Sequence, residues 1–289
     1  MTNKQKALVF IPSYQQPELL KSCINSVLKS LEAKIIILDD SNDSSIVECI
    51  AEIRQTWRTS MVDYIERMDA QRRTTHISGW NRYKEILSTI ASTNDDYINL
   101  RHHDDQLIPR LSQSINDDFT DEAAHALVIH PIMAPAFKIG RLQLLRYHCP
   151  PPLLRLLINH LPQQLILLFN YIGPTACVWV RQDVAIRAPG FDEKLCWLVD
   201  VDWYYSLTSA CQRSEIHVSR NALNRSLFHN QSITSQLSPQ IYEVQKEERK
   251  WIARKVPLSP WLFLMAALLR PVNRLLSWVW LKAEVKHAS

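Results

Sequence analysis

Glycine is scarce in this sequence, with 4 residues in 289. A glycine-rich phosphate-binding loop is excluded, because neither GxGxxG nor GxxxxGK(S/T) occurs. Any phosphate group bound by the protein must therefore be held by a metal ion or by basic side chains. The net charge of +4 is also small. It suits an anionic substrate or a membrane surface and lacks the density of positive charge typical of nucleic-acid binding.

Paired cysteines are missing as well. The six cysteines form no CxxC motif, and no His/Cys cluster has the spacing of a zinc site. Most of them lie in apolar surroundings, which predicts small buried side chains in a reducing compartment. The apolar run before Pro12 is about five residues long, shorter than the core of a secretion signal. We therefore expect a cytoplasmic protein.

Continuous apolar runs alternate with amphipathic segments in the first part of the chain. Such runs are typical of strands buried on both faces of a parallel sheet. An α/β fold with a mainly parallel sheet and right-handed crossovers is therefore expected. The predicted elements are a strand at Ala7–Ile11, a helix from Pro17, a strand at Lys34–Leu38, a helix at Ile46–Trp57 and a strand at Val62–Ile65.

Polar residues follow the first two predicted strands. Pro12, Ser13 and Tyr14 come after the first strand, and Asp39 and Asp40 end the second. Open α/β sheets bind ligands at the carboxyl ends of their strands, so this position predicts a nucleotide pocket. The acid pair would accept hydrogen bonds from a base N–H group and a ribose hydroxyl. Capping of the following helix is the alternative role, and the two roles can coexist.

A further strand, predicted at Tyr97–Leu100, ends in clustered charge. Carboxylates at a strand end repel one another unless a cation or a donor group neutralises them. A divalent ion shared with the phosphates of a substrate would do so, and a solvated turn is the alternative interpretation. The clustered residues are His102, His103, Asp104 and Asp105.

The helix predicted within Thr75–Leu87 has cations near its start, where acids are usual. Gly79 and Asn81 lie at its entry. Arg82 faces either a phosphate group or solvent, whereas Lys84 is predicted to be solvated.

Four of these segments, in this order, resemble the nucleotide-binding half of family 2 glycosyltransferases of GT-A fold. They read IPSY with PELL, IIILDDSNDSS, SGWNR and DDYINLRHHDD. The family pattern is IPTYN-x-P, a strand ending in DDGS-x-D, a G-x-x-x-A-R-N helix and a strand ending in D-x-D-D. The resemblance covers roughly Ala7–Pro109. It implies a Rossmann-like GT-A fold, with a mixed, mainly parallel sheet flanked by helices.

The resemblance also implies roles for individual residues. Uracil and ribose of a nucleotide sugar would lie at Pro12, Tyr14, Asp39 and Asp40, with Asn81, Arg82 and His103 as further nucleotide-binding candidates. A divalent metal (Mn²⁺ or Mg²⁺) would bind Asp104, the second aspartate of the D-x-D element, with Asp105 following. His102 stands at the first aspartate position. Histidine ligates manganese, but hard ions prefer carboxylates.

A second block at residues 190–203 resembles the family's GGFDE segment and the ED-x-D-like element that follows it. The aspartate of that element is the general base of inverting sugar transfer. Asp200 matches it best, and Asp202 is the alternate because Val199 replaces the preceding glutamate. Stabilisation of both acids by a helix N-terminus is the structural alternative. Trp203, Tyr204 and Tyr205 form either a platform for a sugar ring or part of the core.

His229 follows a basic stretch that holds Arg220 and Arg225. The family often has a histidine or arginine there that reaches the diphosphate or the metal, and a structural role is the alternative.

Between these blocks the sequence is strongly apolar. Strands are predicted at Leu127–Ala134 and Ala176–Val180. Arg141–Asn170 is rich in leucine and proline, with short helices predicted at Leu153–Leu161 and Leu165–Phe169. An acceptor-side insertion, a dimer contact, a membrane-dipping segment and ordinary helical core are the open interpretations.

The chain from Gln245 onward is basic, with nine Lys/Arg against three acids. Its longest apolar run, Pro260–Leu269, is about ten residues and is interrupted by Arg270 and Pro271. A bilayer span needs about 20 residues, so we expect a pair of amphipathic helices in the headgroup region. Packing on the protein or on a second subunit, giving a homo-oligomer, is the alternative.

Together these expectations describe a GT-A domain at 1–244, with a nucleotide-binding half (1–110) and an acceptor-binding half (111–244), and a basic helical tail at 245–289. The implied enzyme is an inverting hexosyl- or N-acetylhexosaminyltransferase. It would use a UDP-sugar and a lipid-linked glycan of O-antigen, lipopolysaccharide or capsule synthesis, and would attach to the inner membrane surface through 257–289. A degenerate binding or scaffold protein and a nucleotidyltransferase are the rival classes.

Overall fold

The computed structural model describes residues 7–13, 16–41, 44–59, 61–65, 76–89, 97–108, 125–139, 142–221, 224–226 and 240–287. The strands are β1 (Ala7–Ser13), β2 (Ala33–Asp39), β3 (Val62–Ile65), β4 (Tyr97–Leu100), β5 (Asp105–Leu107), β6 (Leu127–Ile129), β7 (Ile132–Ile139), β8 (Leu142–Tyr147), β9 (Val178–Arg181), β10 (Ile216–Val218) and β11 (Asn224–Ser226). The helices are α1 (Pro17–Ser30), α2 (Ser45–Trp57), α3 (His76–Thr89), α4 (Pro151–His160), α5 (Leu165–Leu168), α6 (Gln182–Arg187), α7 (Val199–Ser209), α8 (Ile241–Lys255) and α9 (Pro260–His287).

The described residues form a larger sheet of seven strands in the order β10-β6-β9-β4-β1-β2-β3. Neighbouring strands in it run parallel, except that β9 is antiparallel to both β4 and β6. The predicted α/β fold with a mainly parallel sheet is therefore confirmed. A second sheet, in the order β5-β11-β7-β8, was not predicted.

Helices cover both faces of the larger sheet. Successive strand side chains point to opposite faces, so Val9 packs with α1 and α2, while its neighbour Phe10 packs with α3 and α7. Both side chains are fully buried. This two-sided burial explains why β1 and β2 are continuous apolar runs in the sequence.

The middle of the chain differs from its prediction. The single strand expected at Leu127–Ala134 is divided at His130 and Pro131, and β6 and β7 belong to different sheets. Proline has no N–H group, so Pro131 cannot continue the ladder of β6 as a donor. Within Arg141–Asn170, the predicted helices are present as α4 and α5, and their buried leucines belong to the core beside α7.

The prediction that the tail is too short to cross a bilayer is wrong. Helix α9 continues through Arg270 and Pro271, although an interior proline removes one backbone donor and crowds the carbonyl four residues before it. By length and composition alone, its segment Pro260–Trp280 could cross a membrane, and 22% of it is buried inside the protein. The predicted domain boundary at residue 244/245 falls inside α8.

Candidate active site

The carboxyl ends of β1, β2 and β4 meet at one edge of the larger sheet. Ser13 pairs with Asp39, and the Asp40 N–H group donates to the Ser13 carbonyl at 3.0 Å. On the other side of β1, the Arg101 N–H group donates to the Phe10 carbonyl at 2.9 Å. The sequence motifs predicted at three strand ends are therefore neighbours in space, as a parallel sheet requires.

Asp39 is held by two donors. Its Oδ1 accepts the Ser41 N–H group at 2.8 Å, and its Oδ2 accepts the Tyr64 hydroxyl at 2.9 Å. Asp39 and Asp40 are both buried. The residue that precedes α2 is Ser44, so neither aspartate occupies the cap position of that helix. Pro12 lies within β1, whereas Tyr14 lies outside the described residues.

The two histidines and two aspartates after β4 have different surroundings. The His102 ring contacts Trp80 edge-on, with 4.3 Å between centroids, and His103 Nε2 lies 2.7 Å from Gln16 Oε1. Asp104 is partly exposed, whereas Asp105 begins β5 and is 1% exposed. Within the described ranges, no three His, Cys, Asp or Glu side chains gather as a metal site. His229 lies outside those ranges.

Arg101 is a residue of this edge that sequence reasoning missed. Its side chain is 0% exposed, and its Nη2 donates to Asn224 Oδ1 of β11 at 2.8 Å. Its Nε and Nη1 have no hydrogen-bond partner among the described residues. Burial lowers the pKa of Arg101, and the nearby charges of Cys23 and Asp105 oppose that shift. The sequence signal was a cation placed directly after an apolar strand.

Helix α3 is tied to the loop before Phe191. Asn81 Nδ2 donates to the Phe191 carbonyl at 2.9 Å, and Asn81 Oδ1 accepts the Phe191 N–H group at 2.8 Å. A Cβ atom at Gly190 would lie 2.5 Å from Asn81 Oδ1, so this approach requires glycine. Lys84 was wrongly predicted to be solvated, since it donates to the Ala188 carbonyl and is partly buried. Arg82 is partly buried on the same helix.

The two candidate bases at the start of α7 differ in their environments. Asp200 is partly buried, and desolvation raises its pKa to about 7. Asp202 is 8% exposed, and its Oδ2 lies 3.5 Å from Lys255 Nζ of α8. Burial also raises the pKa of Asp202, but the charge of Lys255 opposes the shift. Asp200 has no such cationic partner among the described residues.

Tyr204 connects the start of α7 with the end of β4. It is fully buried, and its hydroxyl donates to the Gly173 carbonyl at 3.0 Å. Burial raises the pKa of Tyr204 well above its ordinary value, and the nearby charges of Asp200, Cys177 and Asp105 add to the shift. The two predicted acidic clusters therefore lie near one buried side chain. Trp203 and Tyr204 are core residues, so the sugar-platform interpretation does not hold for them.

Neither a protein-family model nor a curated protein matches this sequence. Among solved structures, residues 1–349 of S. aureus TarS align with a TM-score of 0.57 at 13% identity, over 90% of this chain and 71% of that one. A second TarS structure, of a longer chain, aligns with a TM-score of 0.55 at 13% identity, over 88% of this chain and 41% of that one. The chain thus spans well under half of the longer TarS chain.

A second similar structure is the mannosyltransferase PcManGT from Pyrobaculum calidifontis, solved in complex with GDP-Man and Mn²⁺. It aligns with a TM-score of 0.52 at 10% identity, over 99% of this chain and 81% of that one. Of these neighbours, PcManGT is by name a mannosyltransferase. At these identities the likeness establishes the fold, and this chain has the GT-A, Rossmann-like architecture with a C-terminal helix.

Proposed function

We propose that this protein is an inverting glycosyltransferase that moves a sugar from a nucleotide-sugar donor, preferably UDP-linked, to a glycan acceptor. The observation that carries the proposal is Asp200. It is an acid whose pKa is raised to about 7 by desolvation, at the start of α7, and its charge and that of Asp105 both act on the buried Tyr204. The similarity of the fold to the mannosyltransferase PcManGT, solved with GDP-Man and Mn²⁺, supports a sugar-transfer reaction.

Asp200 is proposed as the general base. A carboxylate with a pKa near the working pH combines a useful fraction of the basic form with strong proton affinity. It would take the proton of the acceptor hydroxyl as that oxygen attacks the anomeric carbon and the nucleoside diphosphate leaves. One displacement inverts the anomeric centre, so no covalent nucleophile is required. Asp202 is less suited, because Lys255 already neutralises it.

The donor nucleotide is proposed to bind at the ends of β1 and β2. Asp39 is fixed by Ser41 and Tyr64, so its carboxylate needs little reorganisation to accept hydrogen bonds from a base or a ribose. The remaining nucleotide-binding candidates of the sequence stay predictions. The side-chain amide of Asn81 is already hydrogen-bonded to the backbone of Phe191.

A divalent metal fits this edge only as an ion shared with the donor. Magnesium commonly keeps its waters and binds one or two carboxylates together with substrate phosphates. The partly exposed Asp104 suits that role, whereas His102 packs on Trp80 and Asp105 is buried. When bound, the ion would neutralise charge on the leaving diphosphate.

Calorimetric titration with UDP tests the donor site. UDP should bind without metal, and Mn²⁺ should tighten binding by about tenfold or more, because the ion offsets repulsion between the diphosphate and Asp104. Asp104→Asn should abolish the gain from Mn²⁺. The exposed Asp63→Asn, which loses only a contact with Lys34, is the matched control. Absence of UDP binding with and without Mn²⁺ would refute the enzyme proposal.

A catalytically degenerate binding protein is the second candidate. It is favoured by two departures from the family pattern, His102 at the first aspartate position of the D-x-D element and Val199 before Asp200. Turnover of a panel of nucleotide sugars separates the two candidates, since a degenerate protein would bind UDP without releasing it from any donor. A nucleotidyltransferase is less suited, because the sequence has no glycine-rich phosphate loop.

Helix α9 is proposed to hold the protein on the cytoplasmic face of a membrane. One side of α9 is bound along its length to the domain: Arg270 donates to the Leu168 carbonyl at 2.6 Å, and Asn273 donates to the His148 carbonyl at 2.9 Å. A helix bound in this way lies on the bilayer and does not cross it. The opposite side exposes large apolar residues at Trp261, Leu264, Leu268, Val272, Leu275 and Val279.

The positive charge of the whole tail favours a lipid surface over a second protein as the occupant of this face. The sequence from residue 249 to 283 contains seven Lys/Arg and no Asp or Glu. Such a segment is attracted to anionic headgroups by about 1 kcal/mol per basic residue near the surface. The acceptor proposed for this site, a lipid-linked glycan of surface polysaccharide synthesis, would be presented at the same surface.

Vesicle sedimentation tests this face. Leu268→Glu/Leu275→Glu should lower partitioning onto anionic vesicles by about tenfold or more, because two charges would enter the apolar layer. The matched control is Leu156→Glu, at an exposed leucine of α4. Unchanged partitioning would refute the membrane role. If the double variant instead turned a dimer into a monomer in light scattering, the face would be a subunit contact.

A further inference from the structure

Helix α8, which the sequence places at the boundary of the tail, contributes a buried acid to the candidate site. Glu248 is 7% exposed, and its carboxylate accepts hydrogen bonds from three successive backbone N–H groups. Oε1 accepts from Cys196 at 2.5 Å and Trp197 at 3.0 Å, and Oε2 accepts from Trp197 at 3.1 Å and Leu198 at 2.6 Å. Hydrogen bonds to a carboxylate are stronger than neutral ones.

These three N–H groups lie directly before the first turn of α7. Leu198 is the cap residue of that helix and supplies no side-chain hydrogen bond of its own. A helix N-terminus leaves backbone donors unsatisfied and favours a negative charge beside it. Glu248 therefore acts as the capping group of α7, although it lies 50 residues downstream of Leu198. The sequence around Leu198 supplies no such group. Asp200 is two residues after Leu198, so its position depends on this contact.

Two more side chains of α8 hold the same segment. Trp251 Nε1 donates to Asp192 Oδ2 at 2.7 Å, and Lys255 donates to Asp192 and lies 3.5 Å from Asp202. Positions 248, 251 and 255 follow the spacing of one helix face. One face of α8 thus fixes both ends of the segment from Asp192 to Asp202.

We propose that Glu248 is a positioning residue that holds Asp200 at the acceptor hydroxyl, with Trp251 and Lys255 supporting the same segment. The inference rests on the proposed function, which makes Asp200 the base. A displacement of about 1 Å in a catalytic group can lower a rate by about 10²-fold. The donor site is proposed at the ends of β1 and β2, away from the contacts of Glu248, so donor binding should not depend on this residue.

Glu248→Gln tests the proposal, with Glu247→Gln as its matched control on the exposed side of α8. Glutamine keeps the size of Glu248 but replaces one acceptor oxygen with a donor that faces the N–H groups. We expect kcat to fall by about 10- to 100-fold, while the KM of the donor and the Kd of UDP change by less than about twofold. Glu247 pairs with Lys250 at the surface, so its variant should match the unmodified enzyme.

The pH profile separates positioning from general loss of structure. A displaced Asp200 becomes more solvated, so the apparent pKa of kcat/KM should fall below that of the unmodified enzyme in Glu248→Gln. Partial unfolding would lower the rate without moving that pKa. The number of UDP molecules bound per protein in the titration measures the fraction that is folded. If Glu248→Gln does not fold, Trp251→Phe removes one hydrogen bond of the same face and should lower kcat by about threefold or more.

The results separate failure of the role of Glu248 from failure of the proposed function. Turnover of Glu248→Gln equal to that of Glu247→Gln, with an unshifted profile, overturns the role of Glu248 alone. If Glu248→Gln is unfolded, an unchanged kcat in Trp251→Phe overturns the positioning role of Glu248. Absence of turnover in the unmodified protein, with any nucleotide sugar, refutes the proposed function on which the inference rests.

Discussion

Asp200→Asn should lower kcat by about 10²- to 10⁴-fold, the range that a general base contributes, and leave the Kd of UDP unchanged. The asparagine keeps the shape of Asp200 but cannot accept the acceptor proton. Asp202→Asn is the informative control, since it removes a side chain paired with Lys255 and should have a smaller effect. Full activity of Asp200→Asn in steady-state assays would transfer the role of the base to Asp202.

The rate of the unmodified enzyme should follow the ionisation of Asp200. Burial raises its pKa to about 7, so the carboxylate is the minor form below that pH. We expect kcat/KM to rise about tenfold per pH unit below 7 and to level off above it. Asp202→Asn should keep this profile. A flat profile between pH 5 and 8 would contradict the assignment.

The desolvation that raises the pKa of Asp200 also destabilises the folded protein where this carboxylate is charged. The pKa of Asp200 is near 3.8 in the unfolded chain and about 7 in the folded one, so folding disfavours the charged form above pH 3.8. About three pKa units, at 1.36 kcal/mol each, set an upper limit of roughly 4 kcal/mol, reached above pH 7. Asp200→Asn should therefore raise the Tm at pH 8 and leave it unchanged near pH 4.

Local patterns account for the part of this molecule that the sequence predicted. The strands β1 and β2 can be recognised as apolar runs because both faces of each strand are buried. The acids that follow them can be placed together because a parallel sheet aligns its strand ends. The division between β6 and β7 was missed. A buried run that changes sheets at a proline looks like one continuous strand until its partners are known.

Contacts between distant residues account for most of the rest. Glu248 looks like a solvated acid in a basic helix, and its burial depends on backbone groups 50 to 52 residues away. Arg101 meets Asn224 over 123 residues, and Lys84 meets Ala188 over 104. No pattern within a window of ten residues carries this information. The strand ends of β1, β2 and β4 could be placed side by side from the sequence, because their partners are the adjacent strands of a parallel sheet.

Arg101→Met should be the most destabilising of the substitutions considered, with a loss of roughly 3–5 kcal/mol in the free energy of unfolding. Asp105 is 1% exposed, and Arg101 is the cation whose charge interacts with it inside the protein. Methionine fills much of the same volume but leaves the Asp105 carboxylate buried without that charge. Arg187→Met, which breaks an exposed pair with Asp183, should cost less than about 1 kcal/mol. Urea unfolding followed by circular dichroism measures both values.

The double variant Arg101→Met/Asp105→Asn shows whether the loss is electrostatic. Removing both charges takes away their mutual attraction together with the cost of burying each of them, and replacing two opposite buried charges in this way is often neutral or stabilising. Arg101 also keeps Nε and Nη1 buried without a partner among the described residues, and that desolvation cost disappears with the guanidinium. We therefore expect the double variant to be at least as stable as the unmodified protein. A double variant no more stable than Arg101→Met would mean that Arg101 acts through packing and its bond to Asn224, because only a charge effect is cancelled by neutralising Asp105.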